Sequence, residues 1–293
     1  LSTDKGENLL DPGKTPEENA QFLLFLTAII KAVDDYQDLL RISVASAGND
    51  HRLGANEAPP AIVSIFVGEE LDDVISSIID EKPAAGKKKS ASILDIGTGV
   101  LPKLAKDNSD RNRTSPFAFT GNKFEFRMPG SSFNIACTNV MLNTAVAESL
   151  SFFADELEKA DDFSASLKAL IKRELSAHRR ILFNGNGYSK EWEEEAARRG
   201  LCNYKKTPDA VIHYADEKNI ALFKKHHVYT REEVVSRMEI GLDEYQKIIH
   251  IEAGAMLEML RRQIIPASIR FAKDVAQSVS IKASLGLDAK GEK

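Results

Sequence analysis

The chain has 293 residues, 43% hydrophobic and 28% charged, with a formal net charge of −5; these are ordinary values for a soluble globular protein of one large or two modest domains. So balanced a charge gives no whole-chain field favouring nucleic acid or an anionic membrane. The longest mainly apolar run, Phe22 to Ile30, is nine residues, against the ~20 that a spanning helix needs.

Thr15-Pro16-Glu17-Glu18 reads as a helix start, with threonine at the N-cap, proline in the first turn and glutamate three after the cap. Phe22, Leu26, Ile29, Val33, Tyr36 and Leu40 then recur every three or four residues, which predicts one amphipathic helix over 16–45. Residues 48–61 hold two glycines, two asparagines and two prolines and predict a loop without regular structure. Ala61–Val67 predicts a short strand, Glu69–Asp80 a short amphipathic helix, and residues 81–91 an exposed linker. Residues 107–122 are polar, then aromatic, then a turn. In the strand predicted over Lys123–Met128, a period of two places Phe124 and Phe126 on one face and Lys123, Glu125 and Arg127 on the other.

From about Asn139 the pattern is helical almost to the end. Leu142, Val146, Leu150 and Phe153 form one stripe, and further helices are predicted over Phe163–Leu182 and Lys190–Arg199. Thr230-Arg231-Glu232-Glu233 is a capping box. It opens a long helix with Val234, Met238, Leu242, Tyr245, Ile249, Ala253 and Met256 at helical spacing, which Pro266 interrupts or restarts. Leu285–Lys293 is a polar tail expected to fray. The whole predicts an α+β, helix-rich fold with its site in the first half, a soft boundary near residue 160 and a mainly helical block after it.

Two cysteines, Cys137 and Cys202, exclude a disulfide framework and make reduced thiols in the cytoplasm the expectation. No signal peptide opens the chain, and its start at Leu1 suggests a piece of a longer protein. Ile93-Leu94-Asp95-Ile96-Gly97-Thr98-Gly99-Val100 looks like a methyltransferase glycine motif. Pro102 and the polar run after it replace the helix such a motif needs, so an ordinary glycine turn is the reading. The six histidines show no HxxxH or HExxH pair, and neither cysteine lies in a CxxC spacing.

Arg52 and Glu57 lie in the Gly/Asn/Pro loop, Arg113 follows Asp110-Arg111-Asn112, and Lys123, Glu125 and Arg127 share a strand face. Residue types alone leave two readings open. One is a surface ladder of ion pairs, which adds little stability. The other is a polyanion site, since arginine grips carboxylate or phosphate bidentately and a carboxylate between cations can hold a divalent ion.

Residues 48–60, GNDHRLGANEAPP, resemble the glutamate-flap region of glutamine synthetases in their type III form. Asn112-Arg113-Thr114-Ser115-Pro116 resembles that family's Asn-Arg-Ser motif, and Lys123-Phe124-Glu125-Phe126-Arg127 its basic-x-Glu-x-Arg strand. The blocks occur in the family's order, and the likeness runs on through Arg231 to Pro266. The resemblance implies ATP-dependent ligation of ammonia to L-glutamate through γ-glutamyl phosphate, with Mg²⁺ or Mn²⁺. It implies that Arg52 and Arg127 hold glutamate, and that Glu57 helps bind ammonium and takes its proton. It assigns Arg113 to the transferred phosphoryl group, Lys123 to the ATP phosphates and Glu125 to a metal ion. It further implies antiparallel strands lining the site with helices outside, and ring-shaped homo-oligomers. Two positions depart from the family pattern. Ala118 stands where an arginine is common, and Lys123 where an arginine is usual. The family's other metal ligands and its small N-terminal domain would precede Leu1, so the expectation is a C-terminal portion, inactive alone. A related ligase using another amine and a non-catalytic scaffolding homologue remain alternatives.

Overall fold

In a computed structural model, which describes residues 1–55, 58–80, 93–94, 104–105, 115–288 and 290–292, the first apolar stripe becomes helix α1 (Ala20–Asp35). Phe22, Leu26, Ile30 and Val33 are wholly buried along it. The single helix expected over 16–45 is corrected to a 3-10 turn at Pro16–Glu18, α1, and α2 (Gln37–Ile42). Thr15 makes no side-chain cap bond; Asn19 Oδ1 accepts from the Phe22 N–H at 3.0 Å and is the working cap. The break at Tyr36 is held by buried Gln37. Its amide donates to the Asp34 carbonyl at 3.1 Å and its Oε1 accepts from the Cys202 N–H at 2.7 Å.

Residues 48–61 are also corrected in part: α3 (Ala47–Arg52) is a helix capped by Ser46, whose Oγ accepts from the Asn49 N–H at 3.2 Å. The strand expected over 61–67 is limited to β1 (Ile65–Phe66), followed by α4 (Glu69–Asp80) as expected. β2 (Ile93–Leu94) pairs antiparallel with β3 (Leu104–Ala105). β4 (Phe117–Phe119) was not foreseen as a strand; it pairs antiparallel with β5 (Phe124–Phe126) and parallel with β1. The three-stranded sheet, in the order β1-β4-β5, is therefore mixed rather than purely antiparallel.

α5 (Ala136–Leu157) and α6 (Phe163–Ala177) pack on α1. A 3-10 turn at Arg179–Ile181 replaces the expected last turn of α6. α7 (Lys190–Arg198) buries Trp192, which stacks on Phe183 at 3.7 Å between ring centroids. α8 (Thr207–Val211) and α9 (Glu217–Lys225) join α2 and α5 around a second apolar cluster that includes Leu39, Met141, Tyr214 and Phe223. α10 (Arg231–Met259) begins at the capping box. The Thr230 N–H donates to Glu233 Oε2 at 2.7 Å and the Glu233 N–H to Thr230 Oγ1 at 3.3 Å.

Two units are distinguished by their internal packing, Leu1–Leu242 and Asp243–Lys293. In the second, the rest of α10 runs into a π-helical turn at Leu260–Ile264 and then α11 (Ile265–Ser284). Pro266 sits in the first turn of α11 and neither interrupts nor restarts the helix, which runs without a gap from α10 through the π-helical turn. The widened turn before it takes up the clash of the proline ring with the preceding carbonyls. No described helix is long and apolar enough to cross a membrane.

Candidate functional site

The candidate site lies where α3 meets the chain leaving β5. Asn49, nearly fully buried, donates through Nδ2 to the Val44 carbonyl at 2.8 Å and the Met128 carbonyl at 3.1 Å. Arg52, one turn on, donates through Nη1 to Asn49 Oδ1 at 3.0 Å and the Met128 carbonyl at 2.9 Å. Its Nη2 donates to the Arg127 carbonyl at 3.1 Å. A guanidinium carries five N–H donors. Three are spent on protein acceptors; the Nε–H and one Nη2–H meet no acceptor among the described residues. That is the edge with which arginine grips a carboxylate side-on.

α3 itself is pinned from below. Arg41, buried on α2, pairs through Nη2 with Asp50 Oδ1 at 3.0 Å. Asp50 also accepts from the Thr207 N–H at 2.7 Å and the Thr207 hydroxyl at 2.9 Å. Burial pulls the Arg41 pKa down from its ordinary value, against the pull of the Asp50 charge.

The β4–β5 hairpin supplies the other residues. Phe117 stacks on Phe124 at 5.0 Å and meets Phe126 at 5.7 Å, so both β5 aromatics face the core. The opposite face carries Glu125 and Arg127, with Arg127 Nη2 at 3.4 Å from Glu125 Oε2. Ala118 is the cross-strand partner of Glu125 and shares that face. Lys123 lies exposed at the hairpin turn, where its carbonyl accepts from the Thr120 N–H at 2.8 Å.

Four of the six residues named from the sequence are thus placed. Arg52 and Arg127 are joined through a backbone carbonyl, Glu125 and Arg127 share a strand face, and Lys123 is at its edge. Glu57 and Arg113 lie outside the described residues, as does most of the glycine motif at 93–100. The Gly54 N–H donates to the Pro59 carbonyl at 3.0 Å, with Gly54 at φ 77°. Among the described residues no group of three His, Cys, Asp or Glu side chains is placed to hold a metal ion.

Sequence reading missed the buried polar framework. Asp34 accepts from Arg180 Nε at 3.0 Å and pairs with His178 Nδ1 at 2.8 Å. Lys31 binds Asp35 at 2.9 Å and Glu174 at 3.4 Å. Burial lowers the Lys31 pKa, but the Asp35 hydrogen bond and both carboxylate charges outweigh it, so the net shift is upward. The available signal was charge within an apolar helical stripe: Lys31, Asp34, Asp38 and Arg41 all fall inside the run from Phe22 to Leu40 or one residue past it. A cavity of about 360 Å³ elsewhere in the first unit is lined by Arg179, Arg180 and Arg199. Each is already paired, with Asp72, Asp34 and Glu195 respectively, so the lining is charge-balanced.

Comparison with known proteins adds a second line of observation. A family model described as the glutamine synthetase C-terminal domain matches residues 166–283. A type-3 glutamine synthetase of Dictyostelium discoideum is 49% identical over 283 residues, 96% of this chain and 38% of its own length. A glutamine synthetase of Butyrivibrio fibrisolvens is 46% identical over 97% of this chain and 40% of its own. One of Bacteroides fragilis is 40% identical over 92% and 38%. The chain thus spans about two fifths of the length of these relatives.

Proposed function

The chain belongs to the glutamine synthetase family, and from that premise we propose that the protein carrying it ligates ammonia to L-glutamate at the expense of ATP. The product is L-glutamine and the intermediate γ-glutamyl phosphate. The observation that carries the reading is the Arg52 guanidinium. It is locked by three protein acceptors and keeps a two-donor edge for a carboxylate. In this reading Arg52 and Arg127 hold the carboxylates of glutamate. Glu57 binds ammonium and takes its proton, Arg113 stabilises the transferred phosphoryl group, and Lys123 meets the ATP phosphates. The β4–β5 hairpin would then line the site with helices behind it.

The described residues do not by themselves fit a complete Mg²⁺ or Mn²⁺ site. Glu125 offers one carboxylate and its near neighbour is a cation. A divalent ion normally takes about six ligands, so Glu125 is proposed as one ligand and no step is routed through the ion. The domain reading, a catalytic portion over 1–160 and a helical region over 161–293, is supported by the family match beginning at residue 166. Cytoplasmic location and a ring-shaped homo-oligomer complete the proposal.

The test is Arg52→Lys in the complete gene product. A lysine cannot reproduce the fork, so glutamate KM should rise about tenfold or more, with ATP KM little changed. An unchanged glutamate KM overturns the assignment. Turnover with another amine but not with ammonium would move the substrate class while keeping the phosphoryl chemistry.

A further inference from the structure

Residues 243–284 are helical throughout and carry large apolar side chains in solvent: Met256 is 57% exposed, Ile264 49% and Phe271 71%. An apolar row of this length marks an interaction surface. The row has an internal symmetry about Leu260. Met256 and Ile264 lie four residues before and after it, and Ala253 and Ala267 seven. Ile249 and Phe271 lie eleven away, and Tyr245 and Val275 fifteen. Steps of three or four residues keep all of these on one helical stripe. A stripe that reads alike in both directions is self-complementary under a two-fold axis, the requirement for an isologous contact.

Charge selects the direction. Before Leu260 the unit carries Asp243, Glu244, Glu252 and Glu258 against Lys247. After it, as far as Ser284, come Arg261, Arg262, Arg270, Lys273 and Lys282 against Asp274. Antiparallel pairing sets the acidic half of one helix against the basic half of the other; parallel pairing sets like against like.

We propose that residues 243–284 pair antiparallel with the same helix of a second copy of this chain, with the two-fold axis at Leu260. Ile249 of each copy then packs on Phe271 of the other, the paired alanines allow close approach, and the charged halves form the polar rim.

The complete gene product with its cysteines replaced, Cys137→Ser and Cys202→Ser among them, is the background for the test. Leu260→Cys should give a disulfide-linked dimer on mild oxidation. Ile249→Cys and Phe271→Cys should each fail alone and cross-link when mixed. Sedimentation up to about 100 µM should show an even number of subunits, and Arg262→Glu with Arg270→Glu should split that assembly at concentrations at least tenfold higher. Adding Glu252→Lys and Glu258→Lys should restore it. Circular dichroism should show the same helix content in all variants. A protein whose assembly is untouched by these charge reversals, as it would be if the helix folded on itself or met another segment, overturns the proposal. So does a dimer that fails to cross-link at position 260, or whose charge reversal is not rescued.

Discussion

Replacing Asp50 by alanine strands a buried charge. The Arg41 and Asp50 side chains are 1% and 3% exposed and 3.0 Å apart. Removing one partner of such a pair typically costs about 3–5 kcal/mol, because the other charge stays buried. The Thr207 N–H and hydroxyl lose their acceptor as well, at about 1–3 kcal/mol for an unmet buried donor. The losses overlap, so about 4–5 kcal/mol is expected, a large share of the roughly 5–15 kcal/mol that holds a domain folded. Asp50→Asn keeps the shape and one good acceptor but turns an N–H₂ toward a donor, and should cost less, about 2–3 kcal/mol. Arg41→Met with Asp50→Leu removes both charges and should recover part of the alanine loss. Urea melts followed by circular dichroism read all three, provided the m-value holds. A loss below about 1 kcal/mol for Asp50→Ala, or a double variant worse than the single, would refute the reasoning.

Other expectations follow from single contacts. Asn19→Ala should cost about 1 kcal/mol and Thr15→Ala almost nothing, since only Asn19 caps α1; paired thermal melts decide this. Trp192→Ala removes a 2% exposed indole stacked on Phe183 and should cost about 3–5 kcal/mol in urea. Burial raises the Glu148 pKa, but hydrogen bonds from Lys225 and His226 outweigh it and hold the carboxyl below its ordinary 4.5. A depressed carboxylate stabilises above its unfolded value and loses that contribution as pH falls through the folded one. Glu148→Gln should therefore cost about 1 kcal/mol near neutral pH. That gap should close below 4.5; a gap constant with pH would count against it.

The parts of the fold that were legible in the sequence are those set by local pattern. The alternation of β5 put Phe124 and Phe126 against Phe117 and left Glu125 beside Arg127. The Thr230 box forms both of its bonds, and α4 has the expected bounds. What escaped depends on distant partners. β4 is buried along its whole length between two strands, so it shows no alternation to detect. α3 was hidden by loop-forming residues and is held by Asp50 against Arg41 and Thr207. α9 is positioned by Asn219, buried and bonded to Asp38 across the first unit. For the site, residue types and order were legible. The contact of Arg52 with the Arg127 carbonyl, 75 residues away, was not.

Ammonium-dependent glutamine formation tests the central assignment most directly. The complete gene product, given glutamate, ATP, Mg²⁺ and ammonium, should release glutamine and phosphate together, and Glu57→Ala should abolish most of that release. A folded, nucleotide-binding protein that makes no glutamine, or one indifferent to Glu57→Ala, would contradict it.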